Sequence, residues 1–377
     1  MPRANNFRVY FFLGILLTFV LVILLREHRP SFLRPGLKLH AYVSTADGSV
    51  TVVDLISLRA IQKIPVGPNT ADMREHPTRP EIWGVSGSAG QIWIIDARSS
   101  QVTARISVGP QPLSLDFSPR GDRAYTTSSG SDQLIAINCA TQSILGKTKT
   151  GAEPVQARAT PDNHSVLVVN RRSATLGIHD AATLIQRAAI AVIPQPDEVA
   201  VLPDSSLAFV ISRTQRRLSV VDLRRAVLLA NLELSSNPSQ MLLKPDGGEL
   251  YVITPDAHGL ETVNTWTHEV GDYMLLGSAP MDAIIAADTG EMYVGDRAAG
   301  RVMPVDINNR RVGRPINVGA APAAMRFEPA APGAKPSMLL VANQASGDLA
   351  ILRLRTDSLL TLIPVGPRPE RIAVKLF

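Results

Sequence analysis

Two short stretches hold the densest concentration of groups able to grip an anion: Arg171 with Arg172, then, 42 positions after the first, Arg213 with Arg216 and Arg217. A guanidinium presents a fork of donors that matches a carboxylate or phosphate two bonds at a time, so five on adjacent loops form a candidate anion-binding site. No aromatic side chain is interleaved with them, which removes the stacking platform that single-stranded nucleic acids use. A solvated, partly salt-bridged rim is the competing account. Other chemistry is sparse. Of the histidines, His76 and His164 fall in hairpins, His179 falls in a strand, and His258 and His268 lie ten apart, with no zinc-ligand spacing. Cys139 is the only cysteine, which excludes an intrachain disulfide and a covalent c-type haem; it reads as core filler rather than a reactive thiol. The run GVSGSAG (84–90) has neither the dinucleotide glycine pattern nor a helix behind it, and no nucleophile elbow occurs. No catalytic residue, no metal ligand and no cofactor is therefore assigned.

The step between the two arginine loops is the period of the whole chain. Asp or Asn closes an alternating apolar strand at Asp54, Asp96, Asn138, Asp180, Asp222, Asn264 and Asp306, each 42 residues after the last. A residue recurring this way is structural: its side chain can cap the turn that follows. Gly/Pro turns keep the same period, as in VGP at 66–68 and 108–110, and so do Pro-centred hairpins such as FSPRGD (117–122), VLPDS (201–205) and LKPDG (243–247). Each unit reads strand, hairpin, strand, polar turn, strand, hairpin, strand, without helical periodicity between. That is the arithmetic of a four-stranded propeller blade.

A single blade has two apolar faces and can bury neither alone, so blades stack and the circle closes. The 339 residues after position 38 amount to about eight units, which predicts eight blades, with seven the alternative. His40 to Gly67 supply only the second to fourth strands of a unit, and 370–377 read as an isolated first strand; together they complete one blade. The Pro-rich stretch 329–336 reads as an insertion in the last hairpin that slips the register there. The expected fold is all-β: antiparallel four-stranded blades over 39–377, preceded by a single transmembrane helix.

That helix is expected over 9–25, after a short tail (1–8) and before a linker (26–38). Val9 to Leu25 carries no charge, is apolar on every face, and is bounded by Arg8 and Arg26. Arg26-Glu27-His28-Arg29-Pro30 follow it, where a signal peptidase would need small residues, so an uncleaved signal anchor is expected. The flanking positive charges are nearly balanced and lean slightly towards a cytoplasmic propeller. Basic character is confined to this end: residues 1–38 hold six Lys/Arg against one Glu, and the rest has 32 of each sign. The ring is formally neutral, so no global field draws in polyanions.

The units AYVSTADGSVTVVD (41–54) with IPVGP (64–68), FSPRGDRAYTTSSGSDQLIAIN (117–138), KPDGGELYVIT (244–254) and LLVANQASGDLAIL (339–352) with IPVGPRP (363–369) resemble the YVTN-repeat, YncE-like propellers of surface-layer and periplasmic proteins. The resemblance spans residues 40–377 and implies an extracytoplasmic, mostly non-enzymatic propeller, in the periplasm or at the cell surface. Some relatives bind DNA, and haem-d1 nitrite reductases and propeller lactonases share the architecture. The leading expectation is a membrane-anchored, non-catalytic ligand- or protein-binding or scaffold module of the cell envelope, its ligand or partner unspecified. A lactonase-like hydrolase with a site at the channel mouth is the alternative. Nucleic-acid or anion binding through the arginine loops is a second one, with nucleic acid not favoured. Fold alone does not choose among these.

Overall fold

The computed structural model describes residues 37–286, 290–330 and 334–377. The tail, the expected transmembrane segment 9–25 and most of the linker lie outside the described residues. Among the described residues no helix is long and apolar enough to cross a membrane; the one helix is a single 3-10 turn, Pro255–Ala257.

Eight antiparallel sheets follow one another along the chain. Blade 2 is typical, with strands Thr70–Glu75, Glu81–Ser86, Gln91–Asp96 and Gln101–Ser107. Blades 3 to 8 begin with Pro112–Phe117, Pro154–Ala159, Glu198–Val201, Gln240–Leu243, Pro280–Ala286 and Pro322–Phe327. Blade 1 is assembled from both ends, as expected: the closing strand Pro369–Leu376 pairs antiparallel with Leu39–Thr45, placing Leu376 opposite Leu39 and Ala373 opposite Tyr42. Eight blades are therefore present, and the clasp shuts the ring. Each blade's first strand touches the first strand of the next, from Thr70–Glu75 round to Pro369–Leu376 and back.

The core lies between blades. Each of eight apolar clusters draws residues from two neighbouring sheets, such as Tyr42, Val52, Met73, Trp93 and Ile95 from blades 1 and 2. Few aromatics are available, so Val, Ile, Leu and Ala fill most of it. The fully buried Trp93 lies over Gly84, where a Cβ would come within 2.0 Å of its ring. Tyrosine hydroxyls stitch blades together: Tyr42 donates to the Ala97 carbonyl at 3.2 Å and Tyr125 to that of Ala181 at 3.1 Å.

The recurring acid does what its position suggested. Asp96 Oδ1 accepts from the N–H of Arg98 and Ser99, Asn138 Oδ1 from Ala140 and Thr141, and Asp222 Oδ1 from Arg224 and Arg225. Four residues after the acid or amide the backbone turns left-handed, at Leu58, Ser100, Gln142, Leu184, Ala226, His268 and Arg310, none of them β-branched. In blade 8 the equivalent position is Arg353, which carries no such cap.

Two irregularities have local causes. Phe327 and Met338 stand eleven positions apart where Phe117 and Arg123 stand six apart, so the insertion expected near 329–336 displaces everything after it by five. In blade 7 the outer strand is split into Arg311–Val312 and Ile316–Asn317. Pro315 has no N–H to give the ladder, and Gly313 donates instead to the Pro304 carbonyl at 2.7 Å.

Candidate functional site: the loop arginines and the channel

Because strands alternate in direction, all second-to-third turns and blade-to-blade loops share one face, here the loop face, and all first-to-second and third-to-fourth hairpins share the other, the hairpin face. The arginines singled out by sequence do stand together on the loop face, at blades 4 and 5. Four of the five are matched by local carboxylates. Arg171 pairs with Asp197 and, at 3.4 Å, with Glu153, which also meets Arg172 at 3.3 Å. Arg213 lies 3.8 Å from Glu198 and donates its N–H to Asp197 and its Nε to the Ser239 carbonyl. Arg217 pairs with Glu233 at 2.7 Å. Arg216 is exposed, its backbone carbonyl accepting from Leu234. Charges here fasten loops to one another.

A different set of charges lines the channel. One 42-residue column of the first strands lies against the next blade: Asp72, Ser114, Gln156, Glu198, Gln240, Asp282, Ala324 and, after the register slip, Arg371. Several of these side chains latch the next blade's backbone. Asp72 accepts from Leu115 N–H at 3.0 Å, Ser114 from Ala157 at 3.0 Å, Gln156 from Val199 at 2.7 Å and Gln240 from Ala283 at 2.7 Å. Arg371 completes the circle by donating to the Ala71 carbonyl at 3.0 Å. Two residues nearer the hairpin face the same register gives Arg74, Asp116, Arg158, Ala200, Leu242, Ile284 and Arg326. The upper level is thus rich in carboxylates and the lower one in guanidiniums.

Burial pushes the Glu198 carboxyl up to about 7, against the pull of Arg213 and Arg158. Burial likewise raises Asp282 to about 6, opposed by Arg326 and Arg371. Asp72 goes the other way: burial opposes its charge, but Arg74 and Arg371 hold its carboxyl below the usual range. At the lower level one carboxylate serves two guanidiniums. Asp116 Oδ1 accepts from Arg74 at 3.1 Å and from Arg158 at 3.4 Å, while its Oδ2 takes the Ala159 N–H. Arg326, from blade 8, hydrogen-bonds the Met325 carbonyl beside it. Arg74, Asp116 and Arg326 border one cavity of about 290 Å³ at the hairpin-face mouth, together with Glu75 and Phe117.

Sequence reasoning passed over these channel residues because it searched loops. The signal was present: Arg74, Asp116, Arg158 and Arg326 fall on the same 42-residue grid as the turn acids, at a position where blades 5 to 7 carry Ala, Leu and Ile. Among the described residues no group of three or more His, Cys, Asp or Glu side chains is placed to hold a metal ion. Cys139 is buried in the core between blades 2 and 3, which pushes its thiol up to about 12 and leaves it a packing residue.

A closed ring of eight four-stranded blades around a polar channel defines a β-propeller. The chain belongs to the YncE-like β-propellers, whose family model matches residues 88–281, just over half of it. No curated protein sequence matches it. Among solved structures, the dihydro-haem d1 dehydrogenase NirN in complex with DHE superposes with a TM-score of 0.76 at 15% identity, covering 92% of this chain and 77% of that one. AztD from Citrobacter koseri gives 0.68 at 12% identity, over 90% of this chain and 98% of its own. Hydrazine synthase from Kuenenia stuttgartiensis gives 0.62 at 16%, over 77% and 97%. Identities this low establish shared fold alone.

Proposed function

We propose that the protein is a non-catalytic binding propeller of the cell envelope, anchored by residues 9–25 with its ring outside the cytoplasm. The observation that carries the binding reading is the channel wall. Polar and charged side chains recur there around the ring, several first strands fixed to the next through side-chain-to-backbone bonds. A wall so fixed presents its groups pre-organised, which lowers the ordering cost of binding. Anchoring rests on the uncharged run from Val9 to Leu25, and the outward placement on family resemblance.

Two experiments test the two halves. Full-length protein in detergent is heated against a panel of small anions, cations and neutral compounds, and a saturable rise in Tm without turnover is expected. Hydrolysis of a lactone or ester panel, lost on substitution of a channel residue, would replace this reading with the enzymatic one. For topology, alkaline phosphatase fused after Phe377 should be active and a fluorescent cytoplasmic reporter dark; the reverse pattern places the ring in the cytoplasm.

A further inference from the structure

We infer that the hairpin-face mouth of the channel is a binding site for a small organic oxyanion carrying two or more negative charges, held between Arg74 and Arg326. The inference rests on the binding reading above and adds the ligand's chemistry and its place.

Charge is the first argument. Three guanidiniums, Arg74, Arg158 and Arg326, project at one level of the channel from blades 2, 4 and 8, and the carboxylate at that level is Asp116. Asp116 divides a single oxygen between two of them at 3.1 and 3.4 Å, longer than a dedicated charge-assisted bond. Arg158 Nε is buried with no partner. Arg326 hydrogen-bonds only its neighbour's carbonyl, with Asp282 acting on it from the preceding blade. Arg74 is met by Asp72 at 3.4 Å as well as by Asp116, so the donors left over at this level belong to Arg158 and Arg326. Arg371 at the upper level is already committed to the Ala71 carbonyl.

Shape is the second. The mouth is a cavity of about 290 Å³, and a second of about 370 Å³ adjoins it, sharing Glu75 and Pro77. Together they offer room for a ligand of a dozen or so heavy atoms, on the scale of ordinary small-molecule pockets of roughly 300–1,000 Å³. Their walls are not uniformly polar. Phe117 borders the first and Phe327 the second, so a carbon skeleton finds apolar contact while its charges meet the arginines. Glu75 faces both cavities and disfavours a second acidic group on its side, which directs the ligand's charges towards Arg74 and Arg326. An inorganic anion would satisfy the guanidiniums and leave the phenylalanine walls unused.

Isothermal titration of full-length protein in detergent with citrate, phthalate and inorganic phosphate tests this. Saturable binding of citrate or phthalate is expected, weakened at least tenfold by Arg326→Gln, partly restored by Arg326→Lys, and unchanged by Arg213→Ala on the loop face. Phosphate binding as tightly as either organic anion would overturn the organic assignment. Equal affinity in wild type and Arg326→Gln, or equal loss in Arg213→Ala, would overturn the site. Asp116→Asn is an independent variant: removing the competing carboxylate should tighten binding several-fold, and weaker or unchanged binding contradicts the inference. If neutral or cationic compounds raise Tm while none of the three anions binds, the oxyanion assignment falls and the binding reading stands. If no class binds, both fall.

Discussion

The arginines of the loop face and those of the channel differ less in number than in what surrounds them. At blades 4 and 5, Asp197, Glu153, Glu198 and Glu233 meet four guanidiniums, and the sequence brings them close together. In the channel, Arg74 and Arg158 from separate blades converge on Asp116, Arg326 stands at the same level from a third, and no two of these residues are closer than 42 positions in the chain. Clustering along the chain marks a fastening; convergence across the ring marks a surface with donors left over. A run of like charges is therefore a poor guide to a site in a repeat protein, and the same column read down every repeat is a better one.

The largest effect that separates the two regions is expected at Asp197. Its side chain is 7% exposed, pairs with Arg171 and accepts the Arg213 N–H at 2.7 Å. Asp197→Ala strands both donors and should cost about 2–3 kcal/mol in urea unfolding. A loss below a few tenths would mean the loop arginines are not fastenings after all. Next is Glu198→Gln, in the channel's acidic half. Folding raises this carboxyl from 4.5 to about 7, so the native state holds a proton that the unfolded chain releases. Wild-type stability should then fall as pH rises from about 4.5 through 7, by up to about 2 kcal/mol after allowing for partial solvent contact, and the variant should lack that slope. Parallel pH profiles for the two proteins would show that Glu198 is not held protonated.

Asp116→Asn should lower stability by about 1 kcal/mol, because the amide oxygen can still accept the Ala159 N–H while the ion pairs are lost. A loss as large as at Asp197 would make Asp116 a fastening and blur the contrast between the regions. The smallest effect is at the turns. Asp222→Ala removes two backbone hydrogen bonds and should cost about 1 kcal/mol, whereas Arg353→Asp in the uncapped turn of blade 8 should gain several tenths. Equal and negligible changes would show that the recurrent acid does not cap.

The sequence disclosed the ring because its repeat is backbone-driven: turn acids, Pro hairpins and alternating strands each announce themselves locally. Blade 1 was legible for the same reason, the strand count at each end being complementary. The split outer strand of blade 7 was not foreseen, although Pro304 and Pro315 were its cause. The channel residues escaped notice because nothing local distinguishes Arg74 or Arg326 from surface arginines. Only closure of the circle sets them opposite one another, and that is a property of the eight blades together.

The clasp also sets the order in which the protein can be made. Leu39–Thr45 offers an edge whose partner, Pro369–Leu376, is synthesised only after the seven intervening blades. At roughly 5–20 residues per second, the chain between them takes tens of seconds to emerge. For that interval the first sheet is a three-stranded fragment with one flank of unpaired N–H and carbonyl groups, open to pairing with another nascent copy. The ring therefore cannot close until that strand has left the ribosome, and a chain cut before Pro369 would be an open spiral rather than a nearly finished ring.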